Sequence, residues 1–193
     1  MEEKKQKRRY GSLVVDPPWA TLQSGNYGAI HHYPLMKLDA IKAMPIADLM
    51  EETGHVWLWV TQGTLRSGYD VLEAWGIVPR SVFTWIKPRM TLGVYLRTAC
   101  EYAILGTKGK SPILFNAQPN WGFFPLQGHS HKPEEFHKIV ERCSPGPYLE
   151  LFARRRQPGW DVWGNEIDSD IAIPGYPIPS YSEKFKQNGG ANA

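Results

Sequence analysis

With 193 residues, 42% hydrophobic and 21% charged content, the chain has the composition of one globular domain large enough to bury a core. Its longest apolar runs, such as Val56 to Val60, are too short to cross a bilayer, and the charged N-terminus has no apolar stretch behind it, so neither a membrane span nor a leader peptide is expected. A net charge of +3 is too mild to mark a nucleic-acid binder, and Cys100 and Cys143 lack the spacing of a zinc site or a disulfide framework, so a reducing cytoplasm is the expected compartment.

In chain order, residues 1–10 form a basic arm carrying Lys4, Lys5, Lys7, Arg8 and Arg9, most simply a solvated tail. Gly11 to Val15 reads as a short buried strand running into Asp16, stopped by Pro17 and Pro18, which cannot donate to a ladder. Ala20 to Tyr33 has no periodicity and reads as a surface loop. Leu38 to Glu52 has helical spacing interrupted at Pro45. His55 to Thr61 is an apolar strand in which Trp57 and Trp59 share a face. Leu65 to Trp75 is a helix closed by Gly76. Ser81 to Ile86 is a strand ending at Lys87-Pro88, Arg89 to Thr98 a loop, and Tyr102 to Leu105 a strand before a turn at Gly106 to Gly109. Ile113 to Gly128, rich in Pro, Asn, Gln and aromatics, reads as a cover over a site. Pro133 to Cys143 is a helix with Glu134 and Glu135 at its positive end. Leu149 to Ala153 and Trp160 to Trp163 are the last strands.

Alternating strands and helices predict an α/β fold with a mostly parallel sheet and helices on both faces. The folded domain is expected over residues 11–168, followed by a Pro/Gly-rich flexible tail over 169–193. An acid at the C-terminal end of a strand in such a sheet stands where ligands bind. Asp16-Pro17-Pro18-Trp19 therefore places a carboxylate, two rigidly directed carbonyls and an aromatic ring together. The plainer reading is a turn, with Asp16 as its cap and Trp19 as a core plug.

The surrounding blocks resemble those of the family of the eukaryotic messenger-RNA adenine methyltransferase catalytic subunit, often called MT-A-seventy, and in particular its short bacterial and phage members. The resemblance runs from Leu13 to about Ile167. Besides the tetrapeptide it rests on Tyr33-Pro34-Leu35-Met36, His55 to Thr61, Trp85-Ile86-Lys87-Pro88 and Glu101. Farther on it rests on His129-Ser130-His131-Lys132-Pro133, Glu141 to Gly146, Glu150 to Arg154, Trp160 and Gly164-Asn165. The order, with the tetrapeptide ahead of the Leu-Phe-Ala strand, is similar to the permuted β-class amino methyltransferases of DNA. This implies a Rossmann-like fold using S-adenosylmethionine as cofactor, and methylation of the N6 amine of adenine in nucleic acid.

That reaction suits the tetrapeptide. An adenine amine has its lone pair spread into the ring, so catalysis consists of localising and aligning it. Asp16 and the adjacent Pro carbonyl, accepting both amine hydrogens, favour the pyramidal nitrogen of the transition state. The resemblance implies catalytic roles for Asp16, Pro17, Pro18 and Trp19. It implies cofactor contacts for Asp16, Ser130, Lys132, Arg154, Asn165 and Glu166, the last replacing a Gln usual in the family. Trp19, Tyr33 and Trp59 are the candidates to stack on the target base, and no metal site is expected. DNA is favoured over RNA as substrate, with the adenine single-stranded or flipped, and assembly with itself or another chain is left open. The alternative is a catalytically weak partner or nucleic-acid-binding subunit of a methyltransferase complex, which would bind no cofactor.

Overall fold

The computed structural model describes residues 8–20, 35–91, 95–127 and 131–176. Among them, strands β1 (Tyr10–Val15), β2 (Met50–Val60), β3 (Val78–Thr91), β4 (Thr98–Lys108), β5 (Trp121–Phe123), β6 (Tyr148–Leu151) and β7 (Trp160–Trp163) form one sheet. Its spatial order is β5-β3-β4-β2-β1-β6-β7. β1 is parallel to β2 and β6, β6 to β7, and β3 to β5, while β4 runs antiparallel to β2 and β3. Helices α1 (Leu38–Lys42), α2 (Ile46–Leu49), α3 (Leu65–Ala74) and α4 (Glu134–Cys143) complete the layers. This is the α/β, mostly parallel, Rossmann-like arrangement that the sequence predicts.

The period-2 alternation of the strands builds a core on each face. Leu13 and Val15 of β1, with Val56, Leu58 and Val60 of β2, join Ile41, Val71, Leu72 and Trp75 on the side of α1 and α3. Val14, Trp57, Trp59, Phe83, Trp85, Ala103 and Leu105 point the other way, onto Phe136, Ile139 and Val140 of α4. Burial on both faces explains why these strands read as unbroken apolar runs. Gly68 of α3 sits so close to Val60 and Ile104 that any side chain there would meet them.

Four boundaries differ from expectation. β2 begins at Met50, directly after α2, because Tyr10↔Met50 pairing extends the ladder with β1. The interval Arg89 to Thr98 is strand at both ends: β3 runs on to Thr91, where it meets Thr98 of β4, and Pro88 falls in the irregular register between Ile86 and Thr91 that spares its missing donor. The segment read as a cover over a site contributes β5, a parallel edge strand with Thr84↔Trp121 and Ile86↔Phe123 in register. Of the stretch expected to be a flexible tail from residue 169, the described part up to Tyr176 is packed: Ile173 is buried and the Tyr176 hydroxyl donates to Ala40 O at 2.8 Å. Among the described residues no helix is long and apolar enough to cross a membrane.

Candidate active site

Asp16 follows the last residue of β1, and its N–H donates to Leu151 O of β6 at 3.3 Å, which fixes it at the central crevice of the sheet. Pro17 O accepts from Trp19 N–H at 2.9 Å and Pro18 O from Met36 N–H at 2.8 Å. Each carbonyl keeps its second lone pair for another donor. Trp19 is partly buried against the α1/α3-side core, and its Nε1–H donates to Trp59 O at 3.0 Å.

Lys132, immediately before the N-cap of α4, extends its ammonium into this crevice. Nζ lies 2.6 Å from Asp16 Oδ2, 3.4 Å from Glu101 Oε2 and 5.3 Å from the centre of the Trp59 ring. Glu101 in turn accepts from Lys87 Nζ, which also lies over the Trp85 ring. Four ionic groups, Asp16 after β1, Lys132 before α4, Glu101 of β4 and Lys87 of β3, thus alternate in sign from contact to contact. Burial raises the Asp16 carboxyl above the usual carboxylate range against the opposing pull of Lys132. Burial acts in the same sense on Glu101, but Lys132 and Lys87 outweigh it and hold that carboxyl low. Burial likewise disfavours the Lys132 ammonium, but the two carboxylates overcome this and keep it charged.

Asp16, Lys132, His137, Glu150, Phe152 and Arg154 border one cleft. The His137 ring on α4 bonds Glu150 on β6 at 2.9 Å through Nε2, while its Nδ1 is buried with no partner among the described residues. The space enclosed is about 20 Å³, room for little more than a water molecule. Phe152 holds the left-handed conformation, φ 64°, in the turn leaving β6, a strained setting for a bulky residue. Its ring meets the edge of Trp163 at 5.1 Å. Arg154 and Glu166, on the turns after the neighbouring parallel strands β6 and β7, approach to 3.5 Å, with Asn165 beside them. These turns are clamped together: Ala153 N–H donates to Trp163 O at 3.0 Å, and a Cβ on Gly164 would collide with the Ala153 carbonyl.

Asp16, Pro17, Pro18, Trp19, Lys132, Arg154, Asn165 and Glu166 therefore all lie at the C-terminal ends of β1, β6 and β7 or at the start of α4. Tyr33 and Ser130 lie outside the described residues. Trp59 requires a correction: it is 1% exposed, with Phe136 at 4.5 Å and Trp85 at 6.2 Å, so no face of its ring is open to a base. The alternation that places Trp59 beside Trp57 points both into the α4-side core.

The profile described as MT-A70 matches residues 10–166. The chain belongs to the MT-A70 family. It is 30% identical over 190 residues to the N(6)-adenosine-methyltransferase MT-A70-like protein of Drosophila melanogaster, covering 92% of this chain and 30% of that protein. To the N(6)-adenosine-methyltransferase catalytic subunit METTL3 of Homo sapiens it is 28% identical, covering 93% and 31%. To the Type II methyltransferase M.MunI of a Mycoplasma species it is 27% identical, covering 87% of this chain and 82% of that one. The chain thus spans about a third of the length of the animal relatives and most of the length of the mycoplasma one.

Within this MT-A70 domain the residues underrated by sequence reasoning are Glu101, Lys87, His137 and Glu150. Glu101 and Lys87 stand in recognisable blocks, but that they pair with each other is a product of the antiparallel β3–β4 pairing, Trp85↔Glu101. His137 is one of several polar positions on α4, and nothing local in the sequence marks it as the one that faces Glu150.

Proposed function

We propose that this chain transfers a methyl group from S-adenosylmethionine to the N6 amine of adenine in a nucleic acid, DNA more than RNA. The observation that carries the reading is Asp16, a carboxylate raised above its usual range, held with Lys132 at the sheet's central crevice beside the Pro17 carbonyl. The donor set suits the cofactor's chemistry. Lys132 offers a cation for its carboxylate, Asp16 and Glu150 offer acceptors for its ammonium, and Glu166 with Asn165 offers acceptors for a ribose diol. When bound, the cofactor supplies an electrophilic methyl group.

Asp16 accepts one amine hydrogen and the spare lone pair of Pro17 O the other, which localises the nitrogen lone pair. The methylated nitrogen must then lose one proton, and a carboxylate with a raised pKa is a better receiver for it than an ordinary one. Lys132 leaves Asp16 for the cofactor carboxylate while keeping Glu101 as a partner, so the same movement frees the catalytic oxygen. Trp19 is the base-stacking candidate among the described residues. DNA is favoured because the relative matched over most of both chains carries the name of a type II methyltransferase, whereas the names of the longer relatives specify adenosine, the ribonucleoside.

The test is transfer of labelled methyl from S-adenosylmethionine to single- and double-stranded DNA and RNA, beside Asp16→Ala. The expected result is label in N6-methyladenine, greatest on single-stranded DNA because the base must leave the stack. Asp16→Ala should lower the rate by at least ~100-fold. A wild-type protein that binds no S-adenosylmethionine would instead make the chain a binding subunit.

A further inference from the structure

At the opposite end of α4 from Lys132, about 15 Å away along the 10 residues of the helix, a second cavity opens on the same face of the sheet. It measures about 300 Å³, at the lower end of the volumes of small-molecule sites. The core residues Trp57 and Phe83 close its buried wall, Phe115 forms its exposed wall with the Arg142 guanidinium 5.2 Å from the ring centre, and Asn116 and Asn120 stand at the exposed margin. No hydrogen bond to another described residue engages either carboxamide side chain. A neighbouring cavity of about 450 Å³ shares Arg80, Leu105 and Ile113 with the first and adds Lys110. No carboxylate lines either cavity among the described residues. Arg80 is held at the junction by its Nε–H, which donates to Thr107 Oγ1 at 2.9 Å.

We infer that this double cavity is a nucleotide-binding site, taking a nucleobase against the exposed Phe115 ring and its phosphate between Arg80 and Lys110. An exposed aromatic ring matches the face of a heterocycle. Carboxamides carry a donor and an acceptor side by side, the pattern that reads a base edge. Two cations without a carboxylate neighbour leave a positive field that a phosphate neutralises. A fatty acid would satisfy the cations and the walls but would leave both carboxamides unused. The nucleotide is either free or part of the strand whose adenine reaches Asp16. The site does not depend on the chemistry proposed at Asp16.

Calorimetric titration of the full chain with each of the four deoxynucleoside monophosphates, with ten-nucleotide single strands, and with dodecanoate tests this. Arg80→Ala and the double variant Asn116→Ala/Asn120→Ala change exposed side chains and leave the core intact. Saturable binding of a monophosphate, weakened at least tenfold in both variants with S-adenosylmethionine affinity unchanged, is expected. Parallel weakening for the ten-nucleotide strands places the target strand in the site, and strands unaffected by the variants make it a site for free nucleotide. Absence of saturable nucleotide binding by the wild type, equal binding by the variants, or binding of dodecanoate alone overturns the inference. Loss of methyl transfer without loss of monophosphate binding tells against the proposed reaction only.

Discussion

Lys132 Nζ bridges Asp16 Oδ2 at 2.6 Å and Glu101 Oε2 at 3.4 Å, so one ammonium is shared by two carboxylates from different strands. Replacing Glu101 by Gln leaves the lysine charge to Asp16 alone and makes its release costlier. The three side chains keep some solvent contact, so the coupling is worth about 1 kcal/mol and not the value of a dry pair. Glu101→Gln should therefore lower kcat for methyl transfer roughly fivefold, with Glu101→Asp in between. Steady-state kinetics at saturating cofactor checks this; an unchanged kcat would show that Glu101 does not share the lysine.

Gly164 lets the turns after β6 and β7 touch. Its prospective Cβ meets backbone of Ala153, which cannot swing aside as a side-chain end can. Gly164→Ala should cost about 3 kcal/mol of stability, at the upper end of overpacking penalties, and weaken S-adenosylmethionine binding by separating Arg154 from Glu166. Urea denaturation and cofactor titration are the measurements. Unchanged cofactor affinity in a destabilised variant would remove these turns from the cofactor site.

A buried relay ties β2 to the end of α4. Trp57 Nε1–H donates to Ser144 Oγ at 3.0 Å, and His55 Nδ1 lies 2.8 Å from the same oxygen. His55 Nε2 faces Ser111 O at 3.0 Å; a carbonyl only accepts, so the ring proton sits on Nε2 and the Ser144 hydroxyl donates to Nδ1. Ser144→Ala leaves an indole donor and an imidazole acceptor buried without partners. The expected loss is about 2–3 kcal/mol of unfolding free energy, read by chemical denaturation.

The same histidine sets a pH dependence. Burial lowers the His55 pKa below 6.5, opposed by the hydrogen bond to the Ser111 carbonyl. The folded state holds the ring neutral while the unfolded chain takes up a proton first. The contribution of His55 is therefore complete above pH ~6.5 and declines as pH falls through the lowered folded value. Tm measured from pH 7.5 down to pH 5 should fall, and His55→Gln should flatten that fall while lowering Tm at neutral pH. Equal slopes for the two proteins would remove His55 as the cause.

The sequence by itself determined the strands whose both faces are buried, the end of β1 at Asp16 and the helix that begins after Pro133. Apolar runs, prolines and helix spacing are local signals, and residues 11–15 and 160–163 needed nothing else. It also determined the tetrapeptide whose chemistry suits an amine. Only the tertiary structure decided that Trp59 belongs to the core, that residues 121–123 complete the sheet, that Ile173 packs inward, and that Lys132 lies between Asp16 and Glu101. Each of these depends on register between segments far apart in the chain, where packing and charge compensation are settled by which strands become neighbours, a choice that no local stretch of residues encodes.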